Sequence, residues 1–443
     1  MKFSKHLIAV ATATAILTPT TASATSGYFS IAYGAKSRGI AGAATALSQD
    51  TYAAAVNPAG MAKAAGTNDV GILVFSPVRN ASTPSTGNSP LSSESEGFII
   101  PSGGFVRQLN DKMTWGMSIY ANGGLNSNYD DDANGVNPYG FPDRLGVDLA
   151  QLIFAPTITY DLNKDHTIGA SLLVGYQQFK ANGLQGFCGL KGDGTCNPMT
   201  GVGVGSAAAN DGLTNQGYDS AWGVGLRVGW QGKISENVSV GAAYSTKVYM
   251  NEFDKYDRLF AEDGDFDIPA NWSIGIAAKV SPKVTVAADV QRILYGDVKS
   301  ISNTGPNNTN PMNPFADGQG FLGTDNGLGF GWKDMTIFKV GAVYEHNTNF
   351  TYRFGYSYNT EAFDNDELGF NVLAPATPRE HVTAGFTYRP TGKDNQQITF
   401  TFMHAFENTQ SGDFPAAFNG GSVGRTRIEM YQNAFDFQYS WTY

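Results

Sequence analysis

Charge is scarce in this chain. Asp, Glu, Lys and Arg make up only 15% of its 443 residues, where an ordinary globular protein carries ~25%. Long apolar runs are missing too. Past the first twenty residues no stretch approaches the ~18 apolar residues that a helix needs to cross a bilayer, so a helical membrane protein is excluded. There is no Gly-X-Y period and no sustained heptad, which excludes collagen and coiled coil. What is present is 53 Gly, 12% aromatic residues and abundant Asn, Thr and Ser, with a mean hydropathy of −0.22. The aromatic content is too high for a disordered chain. Little charge with much glycine, aromatic and neutral polar content fits a transmembrane β-barrel, whose strands alternate lipid-facing and lumen-facing side chains. Such a barrel uses the whole chain as one unit.

The N-terminus carries an address. Lys2 and Lys5 precede a 12-residue apolar core, Leu7 to Thr18, and a small-x-small site at Ala22-Ser23-Ala24. This reads as a secretory signal removed near Ala24. Its loss takes the formal charge from −10 to −12. An acidic exported protein is a poor nucleic-acid partner. The two cysteines, Cys188 and Cys196, bracket a Gly-rich loop with no His nearby. In an oxidising compartment they predict a disulfide rather than a zinc site.

Period-two alternation marks strands. At the C-terminus Phe435, Phe437, Tyr439, Trp441 and Tyr443 share one face, and Asp436, Gln438, Ser440 and Thr442 share the other. A last strand of this kind resembles the signal read by the outer-membrane assembly machinery. Trp222 and Trp230 end another alternating row. They stand roughly 20 Å apart along the membrane normal for a strand tilted near 40°, about the spacing of two interfacial aromatic girdles. The pattern predicts fourteen strands. The first seven are 68–78, 98–108, 113–121, 150–160, 166–180, 218–231 and 237–250. The other seven are 268–280, 283–296, 332–345, 349–359, 380–389, 397–406 and 432–443. Connections alternate long and short, as outer loops and periplasmic turns do. Residues 25–67 are Ala/Gly-rich with short helical pieces. They are too few for a domain and too apolar for a free tail, so the expected place is inside the barrel as a hatch. The organisation is then 1–24 signal peptide, 25–67 hatch and 68–443 barrel.

Four segments carry a resemblance. They are SRGIAGAATALSQDTYAAAVNPAGMA (37–62), with Asn57, Pro58 and Ala59; DIPANWSIGIAAKVSPKVTVAADVQ (267–291); GWKDMTIFKVGAVYEHNTNFTYRFGYSYN (331–359); and APATPREHVTAGFTYRP (374–390). In this order they resemble the FadL/TodX-type outer-membrane transporters of long-chain fatty acids and hydrocarbons in Gram-negative bacteria. The resemblance implies a fourteen-stranded barrel closed by an N-terminal hatch. It also implies capture of hydrophobic small molecules between outer loops, an interior pocket, and lateral release at a kinked third strand. The matching breaker here is Gly123-Gly124, which reads equally as a kink or as the start of a loop. The Cys188–Cys196 segment and the Asn-rich 302–314 stretch do not match the family's fatty-acid member, which leaves fatty acid and hydrocarbon both open as substrate.

Alternation points Arg353, Lys339 and Arg227 into the lumen. There they are candidates to hold a carboxylate, since Arg offers a bidentate fork, or to pair with Asp289 and Glu345 in the wall. Met61, Val56 and Ile40 are the candidate apolar surface of the hatch, with Asn57-Pro58 fixing a turn. No enzyme motif is present. The mature histidines 166, 346, 381 and 404 are scattered, and GVGVG at 201–205 lies in a loop. No cofactor or metal is called for. Asp130, Asp131 and Asp132 read as a solvated face, with divalent-ion binding near lipopolysaccharide as the lesser alternative. A diffusion porin and a structural barrel or receptor are the competing functions, and the hatch argues against the porin.

Overall fold

A computed structural model describes residues 26–131, 135–196, 203–306, 319–415 and 424–442. The export signal with Ala24, Asp132 and Tyr443 lie outside these residues. Among the described residues fourteen long strands build the wall. They are β1 Thr67–Ser82, β2 Phe98–Asn110, β3 Met113–Tyr129, β4 Leu145–Asp161, β5 His166–Asn182, β6 Asp219–Lys233 and β7 Val238–Ser245. The second half comprises β8 Asn271–Ser281, β9 Val284–Ile293, β10 Met335–Glu345, β11 Phe350–Asn359, β12 Glu380–Tyr388, β13 Gln396–Phe414 and β14 Gly424–Thr442. Each strand pairs antiparallel with the next. β14 then returns to β1, in register from Thr67↔Thr442 to Ser82↔Arg427. Closure satisfies the backbone groups that lipid cannot.

The alternation is physical. On β6, Trp222, Val224, Leu226 and Val228 are exposed while Ala221 and Arg227 are buried. On β14, Phe435, Phe437 and Tyr439 face out while Asp436, Gln438 and Ser440 are buried. The outward side chains form the apolar band that meets lipid.

Strand number follows the sequence; several strand ends do not. β3 runs to Tyr129 rather than 121, β4 begins at Leu145 rather than 150, β13 reaches Phe414, and β14 begins at Gly424. The β3 and β4 extensions are covered on both faces over most of their length, whereas those of β13 and β14 keep exposed residues such as Glu407 and Arg427. Every residue of Ala121–Ser127 is buried, so no polar–apolar alternation is needed there. In the opposite sense, β7 stops at Ser245, and a two-residue strand Tyr249–Met250 turns back onto β6.

Residues 26–66 fill the lumen, and every one from Ser26 to Ala46 is buried. A four-residue helix, Ala35–Arg38, is followed by two 3-10 helices, Thr51–Ala55 and Pro58–Ala64. Asn57 caps the last one. Its side chain accepts from the Ala59 N–H at 3.2 Å and donates to the carbonyls of Thr45 (2.8 Å) and Trp230 (2.9 Å). Pro58 occupies the first helical position, where no N–H is missed. The wall makes room for this turn. A Cβ at Gly229 would sit 2.0 Å from Asn57 Oδ1, and one at Gly169 2.5 Å from the Ala59 nitrogen.

Candidate functional site: the hatch and a gap in the wall

Each lumenal cation singled out in the sequence points inward and is engaged by the hatch. Arg227 Nη1 donates to the carbonyls of Ala54 (3.0 Å) and Ala55 (2.5 Å) and to the Tyr120 hydroxyl (3.1 Å). Lys339 Nζ donates to the Ile31 carbonyl at 2.8 Å. It faces Asp289 across the β9–β10 ladder, where Asp289 accepts from the Thr45 N–H at 2.8 Å. Arg353 donates to Gln49 Oε1 (2.8 Å) and Thr387 Oγ1 (2.6 Å). Lys339 and Arg353 do not form one pair. Arg353 is level with Val343, four residues along from Lys339, or about 13 Å at the usual rise.

The apolar hatch residues are spread as well. Ile40 packs with Ala44 and Val343, and partly buried Val56 also touches that group. Met61 is buried in the main cluster beneath Gly116, whose Cβ would meet its methyl at 2.7 Å. Cys188 and Cys196 are bonded, with Cα atoms 6.0 Å apart, in the outer loop after β5. Asp130 pairs with Arg144 at 3.0 Å.

The ladder between β2 and β3 breaks off early, beside Gly123-Gly124. β2 and β3 are laddered only from Gly103↔Ile119 to Asn110↔Met113. Above that, Phe98–Ser102 pair only with β1, and Tyr120–Tyr129 pair with β4 across a bulge at Asn122. The hatch covers the exposed edge. The Ser30 N–H donates to the Asn122 carbonyl and the Gly124 N–H to the Tyr28 carbonyl, each at 3.0 Å. A Cβ at Gly123 would lie 1.7 Å from the Tyr28 oxygen, so only glycine admits this approach. Higher up, Arg79 of β1 reaches across to the Asn126 carbonyl at 2.5 Å.

The inner face of the wall is mixed, carrying buried Gln177, Thr399 and Gln432 as well as Leu149, Ile153, Leu173 and Ile337. Beside the gap it carries Leu73, Phe75, Phe98 and Ile100, packed with Ile31, Ala32 and Ala121. Above the hatch stands an aromatic cluster. Tyr28 has ring centroids 5.4 Å from Tyr295 and 6.0 Å from both Trp332 and Phe266. Tyr33 lies 4.7 Å from Tyr120. Burial holds the Tyr28 and Tyr295 phenols well above their ordinary pKa, so both stay neutral. The cluster continues through Phe260 and Phe179 into the outer loops. Packed aromatic side chains thus run without a break from the outer loops to the hatch beside the gap.

Sequence reasoning missed both the aromatic cluster and the apolar gap lining. A signal existed: GILVF (71–75) and FII (98–100) place apolar residues on both faces, one face too many for a wall against a polar lumen.

Comparison with known proteins agrees with this architecture. The family described as "Outer membrane protein transport protein (OMPP1/FadL/TodX)" matches residues 15–439. The long-chain fatty acid transport protein of Escherichia coli O6:H1 is 21% identical over 357 residues, 74% of each chain. Among solved structures, the Pseudomonas putida toluene transporter TodX superposes with a TM-score of 0.67 at 20% identity, covering 93% of this chain and 99% of that one. A Pseudomonas aeruginosa FadL homologue gives 0.66 at 14% identity, covering 94% and 99%. The chain belongs to the OMPP1/FadL/TodX family of outer-membrane transport proteins.

Proposed function

We propose that this barrel takes up hydrophobic molecules, long-chain fatty acids foremost, and releases them sideways through the gap between β2 and β3. The observation that carries the reading is the apolar inner face at that gap. A water-filled pore has no use for Leu73, Phe75, Phe98 and Ile100 facing inward, whereas a greasy ligand leaving toward lipid needs such a surface. Outer loops capture the molecule, the aromatic cluster around Tyr28 receives it, and withdrawal of Tyr28–Ser30 from β3 uncovers the exit. Residues 25–67 act as the hatch in this reading, 68–443 as the barrel, and 1–24 as an export signal cut near Ala24. The aromatic C-terminal strand serves the assembly machinery, and lipopolysaccharide surrounds the outer loops.

A hydrocarbon is the second reading. It is favoured by Arg227 and Lys339 already donating to hatch carbonyls, Arg227 being the one that also reaches the aromatic cluster, through the Tyr120 hydroxyl. The curated relatives named above are fatty-acid transport proteins, whereas TodX is a toluene transporter. The test is binding of a fatty acid and of an alkane of equal length to the purified protein. Arg227→Met weakening only the fatty acid supports the first reading, and equal effects on both ligands support the second. A cysteine pair joining positions 30 and 122 is expected to stop delivery to a surrounding bilayer while binding persists. Undiminished delivery through the locked protein would sink lateral release.

A further inference from the structure

At the turn end of the barrel a chamber of about 330 Å³ separates the hatch from the wall. It is lined mainly by polar groups, among them Lys36 and Lys63 of the hatch and Arg353, Arg389, Glu345 and Asp394 of the wall and its turns. It lies on the opposite side of the hatch from the aromatic cluster, and its polar lining does not suit an acyl tail.

Its cations are underused. Lys36 is only 4% exposed, yet its ammonium has no hydrogen bond or ion pair to any described residue. Asp50 and Asp69 act on it electrostatically from behind the chamber. Their hydrogen bonds, however, come from Gln438, Thr51 and Tyr52. Arg389 donates one bond, to Thr351 Oγ1 at 3.0 Å. Arg353 donates two, to Gln49 and Thr387, and neither partner is charged. A guanidinium has five N–H donors, so most remain unspent in both. Lys63 stands exposed at the rim. The Lys36 ammonium therefore meets Asp50 and Asp69 only at longer range and keeps its hydrogen-bond donors for the chamber. Here three further cations face the same space, against two carboxylates, neither of them in an ion pair.

We propose that this chamber is a binding site for a small oxyanion, a carboxylate or phosphate reached from the periplasmic side. Lys36 provides the buried charge, Arg353 and Arg389 provide planar donors, and Lys63 draws the anion in. The site is separate from the hydrophobic route and does not depend on it.

The test is calorimetric titration of the whole purified protein, in buffer free of phosphate and carboxylate, with inorganic phosphate and then with butyrate. Saturable binding of one anion per barrel is expected. Affinity should fall about tenfold in Lys36→Met and in Arg389→Gln, and severalfold in Lys63→Gln, as loss of a charge-assisted contact implies. Arg144→Gln in the outer loops should change nothing. Preference for phosphate identifies a phosphoryl ligand, and preference for butyrate a carboxylate head group. Heat-modifiable migration checks that each variant is folded, and exposed Lys63 keeps the test alive if Lys36→Met is not. Absence of saturable binding with both anions, or equal affinity in all variants, overturns the site. Alkane binding measured alongside reports on the aromatic route independently.

Discussion

Arg38 and Asp436 form an ion pair at 3.0 Å with side chains 3% and 4% exposed. Arg38 Nη2 also donates to the Ala32 carbonyl at 2.9 Å. Arg38→Met removes the cation and leaves the carboxylate buried alone, a change that typically costs about 3–5 kcal/mol. The expected result is a lower unfolding temperature and a hatch open to protease; an unchanged melting curve would contradict it. Gly123→Val acts differently. It drives a side chain into the Tyr28 carbonyl, an overpacking of about 1–3 kcal/mol that the wall avoids by releasing Tyr28–Ser30. Planar-bilayer recordings should then show more frequent openings, with heat modifiability retained. At this scale the sequence was half legible. Parity told that Arg227, Lys339 and Arg353 point inward. It could not tell that their acceptors are Ala54, Ile31 and Gln49, because a contact spanning more than 170 residues leaves no local pattern.

Strands were legible where one face meets lipid and the other meets the lumen, since that boundary imposes the alternation. They were poorly legible where loops cover both faces, as in the upper half of β3. Outer loops have a logic of their own. The Cys188–Cys196 bond restrains a short loop and should stabilise it by ~2–3 kcal/mol, chiefly through the unfolded chain. Maleimide labelling of both thiols before reduction would contradict the bond. Nearby, the Asp265 carboxyl is pushed up to about 7 by burial and by the neighbouring Asp267 and Glu262. The folded loop therefore keeps a proton that the unfolded chain gives up near pH ~4. Its stability is full below that pH, falls as pH rises towards about 7, and is level beyond. Wild-type protein should melt at lower temperature at pH 8 than at pH 5, and Asp265→Asn should narrow the difference. The same gap in both proteins would assign the effect elsewhere.

For the whole molecule, a hatch that fills the lumen is expected to decide what the barrel conducts. Deleting residues 26–66 should leave a heat-modifiable β-barrel with a large, steady conductance in planar bilayers; an intact protein that conducts equally would mean the segment is not a plug. Deletion also exposes Asp69, Asp436 and Gln438 to water, so some loss of thermal stability is expected alongside.

The seam where the wall closes carries one more implication. Gln438 of β14 donates to Asp69 of β1 at 2.9 Å and to Asp50 of the hatch at 3.1 Å, and Arg38 reaches Asp436 beside it. The first strand, the last strand and the hatch therefore meet in a single knot of side chains nearly 400 positions apart along the chain. Contacts of such long range form late in folding. The segment made first is thus secured by the segment made last, so zipping the cylinder shut and stoppering it become a single event. During biogenesis the membrane would then never hold a finished but leaking ring, and protease protection of the N-terminus should appear in step with the heat-modifiable form.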